Sequence, residues 1–130
     1  VDLRQESHGY VNNAYPVSWY KDRNWANRGR TAEQVERDEQ GRLAALLGSR
    51  VVFTPLGRYD EEHLEALTID VHSVTMERTA AEWAGFQYFR IAATDQAAPS
   101  DVAIDRFVAF AAALPENAWI HFHCEAGNGR

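Results

Sequence analysis

Near one end of the chain a cysteine and an arginine stand with five residues between them, in His123-Cys124-Glu125-Ala126-Gly127-Asn128-Gly129-Arg130. A loop of this length, with Gly127 and Gly129 free to adopt positive φ, can curl so that the backbone N–H groups of Glu125, Ala126, Gly127, Asn128 and Gly129 point inward at a phosphate. Arg130 then supplies a bidentate fork to two phosphate oxygens, and Cys124 sits beneath the phosphorus. The same donors stabilise a thiolate. Surroundings of this kind bring a thiol from about 8.5 down to roughly 3.5–7.5, where it is a nucleophile at neutral pH. The expected chemistry is capture of a phosphate followed by attack on it. His123 is expected to hold the loop and the thiolate through hydrogen bonds. Cys-x5-Arg alone has other owners, arsenate reductases among them; the preceding histidine, the two glycines and the strand-like run before them narrow the choice.

Attack on a phosphate ester needs a proton donor beside the leaving oxygen. Asp95 is the candidate, in a loop that contains Pro99 and follows a predicted strand. If that strand runs parallel to the one before Cys124, the two loops share one end of the sheet. The competing role for Asp95 or Asp101 is to cap the next helix, which Ser100 can do instead. Gln96 can hydrogen-bond a phosphate but carries no charge. Lys21, Arg23, Arg28 and Arg30 put four cations within ten residues against Asp22 alone, either as a phosphate pocket or as a solvated loop. Arg4 and Glu6 are candidates for a buried pair, and His8 for core packing or a supporting hydrogen bond. His121 reads as structural. His63 and His72 have no partner at a metal-ligand spacing, so neither a metal site nor a cofactor is expected. Trp19, Trp25 and Trp119 read as core or loop-packing residues.

The elements that must position these residues follow from pattern. Val1-Asp2-Leu3 looks like a strand, and residues 5 to 30 have no period but many aromatics, which suggests an ordered omega-like loop. Thr31 and Gln34 make a capping box for a helix over about 32–47, with Val35, Leu43, Leu46 and Leu47 near one face. Arg50–Thr54 and Thr68–Met76 read as strands, with a turn at Gly57-Arg58-Tyr59-Asp60. Thr79 and Glu82 repeat the capping box for a short helix stopped by Gly85, and Phe86–Ile91 is the next strand. Ser100 caps a helix over about 101–113, carrying Ile104, Phe107, Val108 and Ala111 at helical spacing and ended by Pro115. Ala118–His123 is the last strand. Strands separated by helices predict an α/β sheet with parallel members, whose ligands sit at the carboxyl ends of the strands.

The chain's 130 residues are 45% hydrophobic and 25% charged, with a net charge of -6, which bounds one ordinary domain and argues against a nucleic-acid partner. No apolar run approaches the roughly 18 residues of a membrane span. The single cysteine excludes an internal disulfide.

Taken together, these residues resemble the cysteine phosphatases of the protein-tyrosine-phosphatase fold, and within them the phytase-like branch. That branch reads similarly to Asp2-Leu3-Arg4-Gln5-Glu6-Ser7-His8-Gly9, Val17-Ser18-Trp19-Tyr20, Asn24-Trp25-Ala26-Asn27, Ala92-Ala93-Thr94-Asp95 and His121-Phe122-His123-Cys124-Glu125-Ala126-Gly127. The resemblance implies a three-layer α/β fold with a central mixed or parallel sheet flanked by helices. It also implies hydrolysis of myo-inositol hexakisphosphate through a phosphocysteine, without metal, with Asp95 as general acid and then base. It departs at Gln96, where relatives commonly have His, and at Asn128, where they have an aliphatic residue. Positional preference on the inositol ring is therefore expected to differ, and Asn128 to have a modest effect.

The expected partner is a small-molecule inositol phosphate. Two rival readings remain: a phosphotyrosine, dual-specificity or phosphoinositide phosphatase of the same fold, and a non-catalytic phosphate-binding module. The chain is expected to be incomplete at both ends, truncated after the loop and weakly active or inactive by itself. The resemblance suggests a bacterial and often exported enzyme; no signal peptide is visible in these residues.

Overall fold

In the computed structural model, residues 1–19, 25–54 and 65–125 are described. The elements run β1 (Asp2–Arg4), β2 (His8–Val11), β3 (Tyr15–Ser18), α1 (Ala32–Leu46), β4 (Arg50–Phe53), β5 (Leu67–Asp70), β6 (Val74–Thr75), α2 (Glu77–Trp83), β7 (Arg90–Ala93) and α3 (Asp101–Ala112). The fold is the expected α/β class. β1 pairs in parallel with β7, in the registers Asp2 to Arg90 and Arg4 to Ala93 with a bulge between. On its other side β1 meets the segment before Cys124, bridging Asp2 to His123 in parallel. Leu3 N donates to His123 O at 2.9 Å, and His123 N to Val1 O at 3.1 Å. β1 is therefore the central member of a small parallel sheet.

Two antiparallel units complete the frame: β3-β2-β6 and β4-β5. The apolar core, Val11, Val17, Leu43, Ile69 and Val71, lies where α1 packs over them, with Trp19 and Phe53 at its margin. Gly9 on β2 lets α1 approach: a Cβ there would lie 2.7 Å from Leu43 Cδ1 and 2.8 Å from the Thr75 carbonyl oxygen. α1 starts as predicted, with Thr31 and Gln34 each bonding the other's backbone N–H. Leu47, however, is the extended residue that ends the helix, and its side chain is exposed.

Several expectations are corrected. Residues 5 to 30 are not one irregular loop, because β2 and β3 form a hairpin inside them. Asn12 and Asn13 turn it, both at positive φ, a backbone region that asparagine tolerates better than most residues. Asn12 also secures the next unit, donating to Asp70 O and accepting from the backbone of His72 and Ser73. The predicted strand 68–76 divides into β5 and β6, which join different sheets. Thr79 does not begin α2, which starts at Glu77 after Met76 with no side-chain cap; Gly85 does stop it, at φ +85°. β7 begins at Arg90, later than the predicted Phe86, with Arg90 opposite Asp2 of β1.

Ser100 caps α3, accepting from Ala103 N, yet no residue of α3 is buried among the described residues. Its contacts run through rings: Phe110 stacks on Phe89 at 4.3 Å, and Phe107 meets Phe122 at 5.3 Å. Residues 118–122 do not form a strand, and Trp119 is 100% exposed instead of packed. Among the described residues this segment bonds β1 and its flank at His121 and His123 and meets α3 through Phe122. The predicted turn at 57–60 and His63 lie outside the described residues. Among the described residues, no helix is long and apolar enough to cross a membrane.

Candidate active site

The parallel order has a direct consequence for the two candidate reactive groups. Cys124 follows His123 at one side of β1, and Asp95 lies two residues past the end of β7 at the other. Strands that run the same way place their following loops at the same edge. Cys124 and Asp95 are both partly buried there. Thr94 O accepts from Ala97 N at 3.2 Å, closing a tight turn with Asp95 and Gln96 inside. Gln96 sits at φ +56°, in the left-handed region that a glutamine rarely takes, so the turn is held against its own preference.

The segment before α1 sends a tryptophan to this turn. Trp25 Nε1 donates to Asp95 O at 3.4 Å, and the Arg28 guanidinium lies 4.7 Å over the Trp25 ring. Arg28 thus sits beside the acid loop. Arg30 is committed elsewhere, 3.1 Å from Asp38 and 3.2 Å from Asn27 Oδ1, at the wall of a cavity of about 590 Å³ that also takes in Gln5, Thr94, Pro99 and Arg106. Ser7, Arg30 and Arg42 gather on Asp38 and bring its carboxyl down to about 2, although burial pushes the other way.

Beneath the reactive edge lies a run that sequence reasoning met only in part. Asp2 and every residue from Arg4 to His8 are buried, and all are polar or charged. The expected Arg4–Glu6 pair is present at 2.8 Å. Arg90 lies across this run: Nη1 is 2.9 Å from Glu39 Oε2, Nε donates to Arg4 O, and Nη2 donates to Glu6 O. Glu39 Oε2 also accepts from His8 N at 2.9 Å. Tyr88 OH donates to Asp2 Oδ2 at 2.6 Å; burial and the Asp2 charge push this phenol upward, so it remains a donor.

His8 is no apolar-core histidine. Its Nε2 lies 2.6 Å from Glu77 Oε2 and 3.4 Å from Asp2 Oδ2, in close ion-pair contact. Burial disfavours its charge, but Asp2 and Glu77 outweigh that and raise it to about 9. Asp2 is held well below the usual carboxylate range: burial opposes this, and His8, Arg90 and Tyr88 prevail. The other oxygen of Glu77, Oε1, is 3.3 Å from His123 Nε2. His8 therefore connects through Glu77 to the residue before Cys124.

Asp2, His8 and Glu77 bring three possible ligand atoms within 4.8 Å of one another. Arg90 and protonated His8 already answer the charge of Asp2, so the trio is a buried ion-pair network whose acceptors are occupied.

The model for phytases of the protein-tyrosine-phosphatase type, described by the words "inositol hexakisphosphate", matches residues 1–130. The chain belongs to the protein-tyrosine-phosphatase-like phytase family. The tandemly repeated phytase of this type from Mitsuokella multacida is 42% identical with a TM-score of 0.86, over 97% of this chain and 21% of that one. A myo-inositol phosphatase from the same organism, solved with myo-inositol-(1,3,4,5)-tetrakisphosphate, is 41% identical at 0.86, again over 97% and 21%. The phytase of this type from Bdellovibrio bacteriovorus is 40% identical at 0.76, covering 97% and 42%. Among curated proteins, effector protein hopD2 of Pseudomonas syringae pv. tomato is 28% identical over 134 residues, 100% of this chain and 28% of that protein. The chain thus spans between about a fifth and two-fifths of the length of these relatives.

For this phytase-family chain the sequence-derived site divides in two. Cys124, Asp95, Gln96, His123, Glu125, Arg28 and Arg30 are described; Lys21, Arg23, Ala126, Gly127, Asn128, Gly129 and Arg130 lie outside the described residues. Four supporting residues were missed: Glu39, Glu77, Tyr88 and Arg90. Glu39 carried a usable signal, since it stands four residues from Val35 and from Leu43 on the buried stripe of α1. The others had none, because their partners lie on distant elements.

Proposed function

We propose that this chain carries the nucleophile and the general acid of a cysteine-dependent phosphatase acting on inositol polyphosphates, phytate first. The Cys124 thiolate attacks phosphorus, and the bond to the inositol oxygen breaks as Asp95 gives that oxygen its proton. In the second step Asp95 takes a proton from water, the water oxygen attacks phosphorus, and the sulfur–phosphorus bond breaks to release inorganic phosphate and the thiolate. Arg130 and the amides of 125–129 hold the phosphate oxygens, and Gln96 and Arg28 meet neighbouring phosphates. Neither step needs a metal or a cofactor. Residues 1–130 act within a single cysteine-phosphatase domain.

The observation that carries this reading is the parallel arrangement in which Cys124 and Asp95 follow the two members that flank β1, at one end of the sheet. The inositol phosphate bound by a relative at 41% identity supports the substrate class. The test is phosphate release by the protein at its full natural length, from phytate and from a phosphotyrosine peptide. Phytate is expected to be preferred. Cys124→Ser should abolish turnover and the trapped phosphoenzyme, and Asp95→Asn should lower kcat by about 10²- to 10⁴-fold. Preference for the peptide would move the substrate class, and turnover by Cys124→Ser would end the mechanism.

A further inference from the structure

Glu77 stands where the buried polar run meets the candidate catalytic loop. Its side chain is 17% exposed at the first residue of α2, with one oxygen 2.6 Å from His8 Nε2 and the other 3.3 Å from His123 Nε2. The backbone of His123 is already pinned to β1 through both its N–H and its C=O. That leaves the ring, which stacks with His121 at 5.9 Å and meets Glu77 through Nε2. We propose that Glu77 is a positioning residue for the phosphatase reaction, dividing its two carboxylate oxygens between the His8 and His123 imidazoles and so fixing the side chain next to Cys124. This rests on the reading of Cys124 as the nucleophile.

The chemistry of the group explains the choice of residue. Each imidazole turns its Nε2 toward Glu77, and a carboxylate offers two equivalent oxygens, one for each ring. Glutamine has the same reach but one acceptor; its NH₂ would face an imidazole N–H, donor against donor. One ring must then be released. The contact at 2.6 Å belongs to His8, which is buried; His123 is at 3.3 Å with a side chain 27% exposed, so His123 is the ring that lets go. Glu77 is itself kept ionised: burial works against its charge, but the close contact and charge of His8 prevail. Asp2 Oδ2 lies 3.4 Å from the same His8 nitrogen, Nδ1 on the other side of the ring faces Glu6 O at 2.8 Å, and Tyr88 donates to Asp2, so the anchor is stiff.

A role confined to stability would lower the folded population and leave the turnover number of folded enzyme and the coupling to His123 unchanged. The experiment therefore compares Glu77→Gln, His123→Asn and the double variant in the protein at its full natural length, with phytate as substrate and thermal unfolding as a check on folding. Glu77→Gln is expected to keep KM within about twofold and to lower kcat by roughly ten- to a hundredfold, the scale of a small misplacement at a reacting centre. His123→Asn should give a similar loss, and the double variant no more than either. Histidine side-chain NMR should show the His123 Nε2–H signal altered in Glu77→Gln while that of His8 persists. An unchanged kcat, or a Glu77→Gln loss of equal size in the His123→Asn background, overturns the inference. Should Glu77→Gln fail to fold, His123→Asn carries the test, and full kcat in that variant overturns it. Failure of Cys124→Ser to abolish wild-type turnover would instead strike the underlying mechanism, so the two results separate.

Discussion

Arg90 Nη1 lies 2.9 Å from Glu39 Oε2, with both side chains shut away from solvent. The pair joins β7 to α1 and, through Glu39, to the backbone of His8. Removing Glu39 leaves the buried Arg90 charge to Asp2, 3.3 Å away, and takes away the acceptor of His8 N. Glu39→Leu should therefore cost about 3–5 kcal/mol in urea-induced unfolding. Replacing both residues with apolar ones of similar volume should recover much of that loss, and a double-mutant cycle measures the coupling.

Gly9 is required by space and not by φ. A methyl group there meets Leu43, which can shift, and the Thr75 carbonyl, which belongs to β6 and cannot move without disturbing the sheet. Gly9→Ala should destabilise by about 1–3 kcal/mol, read from the denaturation midpoint. Trimming Leu43 in the same chain should relieve only the part due to the leucine.

Stability should fall on both sides of a plateau. His8 is raised from 6.5 to about 9, so its ion pairs contribute fully below pH 6.5 and that contribution disappears as pH rises through 9. The loss is at most about 3 kcal/mol. Asp2 and Glu77 are lowered from 3.8 and 4.5, so their contribution is present above those values and is lost as pH falls below them. Thermal midpoints should be highest between about pH 4.5 and 6.5. His8→Gln should flatten the alkaline limb; an unchanged slope there would show that another group sets it.

Trp25 ties the acid turn to the segment that carries Arg28. Trp25→Ala removes a long hydrogen bond and the stacking surface for the guanidinium, together about 1 kcal/mol of hold on that turn. Expressed as kcat/KM on phytate, this is about a fivefold loss. Trp25→Phe, which keeps a ring, should recover the share due to Arg28.

The candidate reactive residues were read without coordinates because their pattern is local: a thiol, five residues, a guanidinium, and an aspartate after a β-rich run. The capping of α1 by Thr31 and of α3 by Ser100 was legible for the same reason, since an N-cap bonds only to residues two or three positions away. The Arg4–Glu6 pair, two positions apart, was also within reach.

What only the tertiary structure decided is how distant segments share charge and backbone. No local pattern places Glu77 between His8 and His123, or sets Arg90 across the run from Arg4 to His8. Strand limits were likewise set by pairing: β7 begins with Arg90 opposite Asp2, and His123 is the residue that bridges β1. Local propensity acts over a few residues, whereas a buried charge is tolerated only where the fold delivers its counter-charge from elsewhere in the chain.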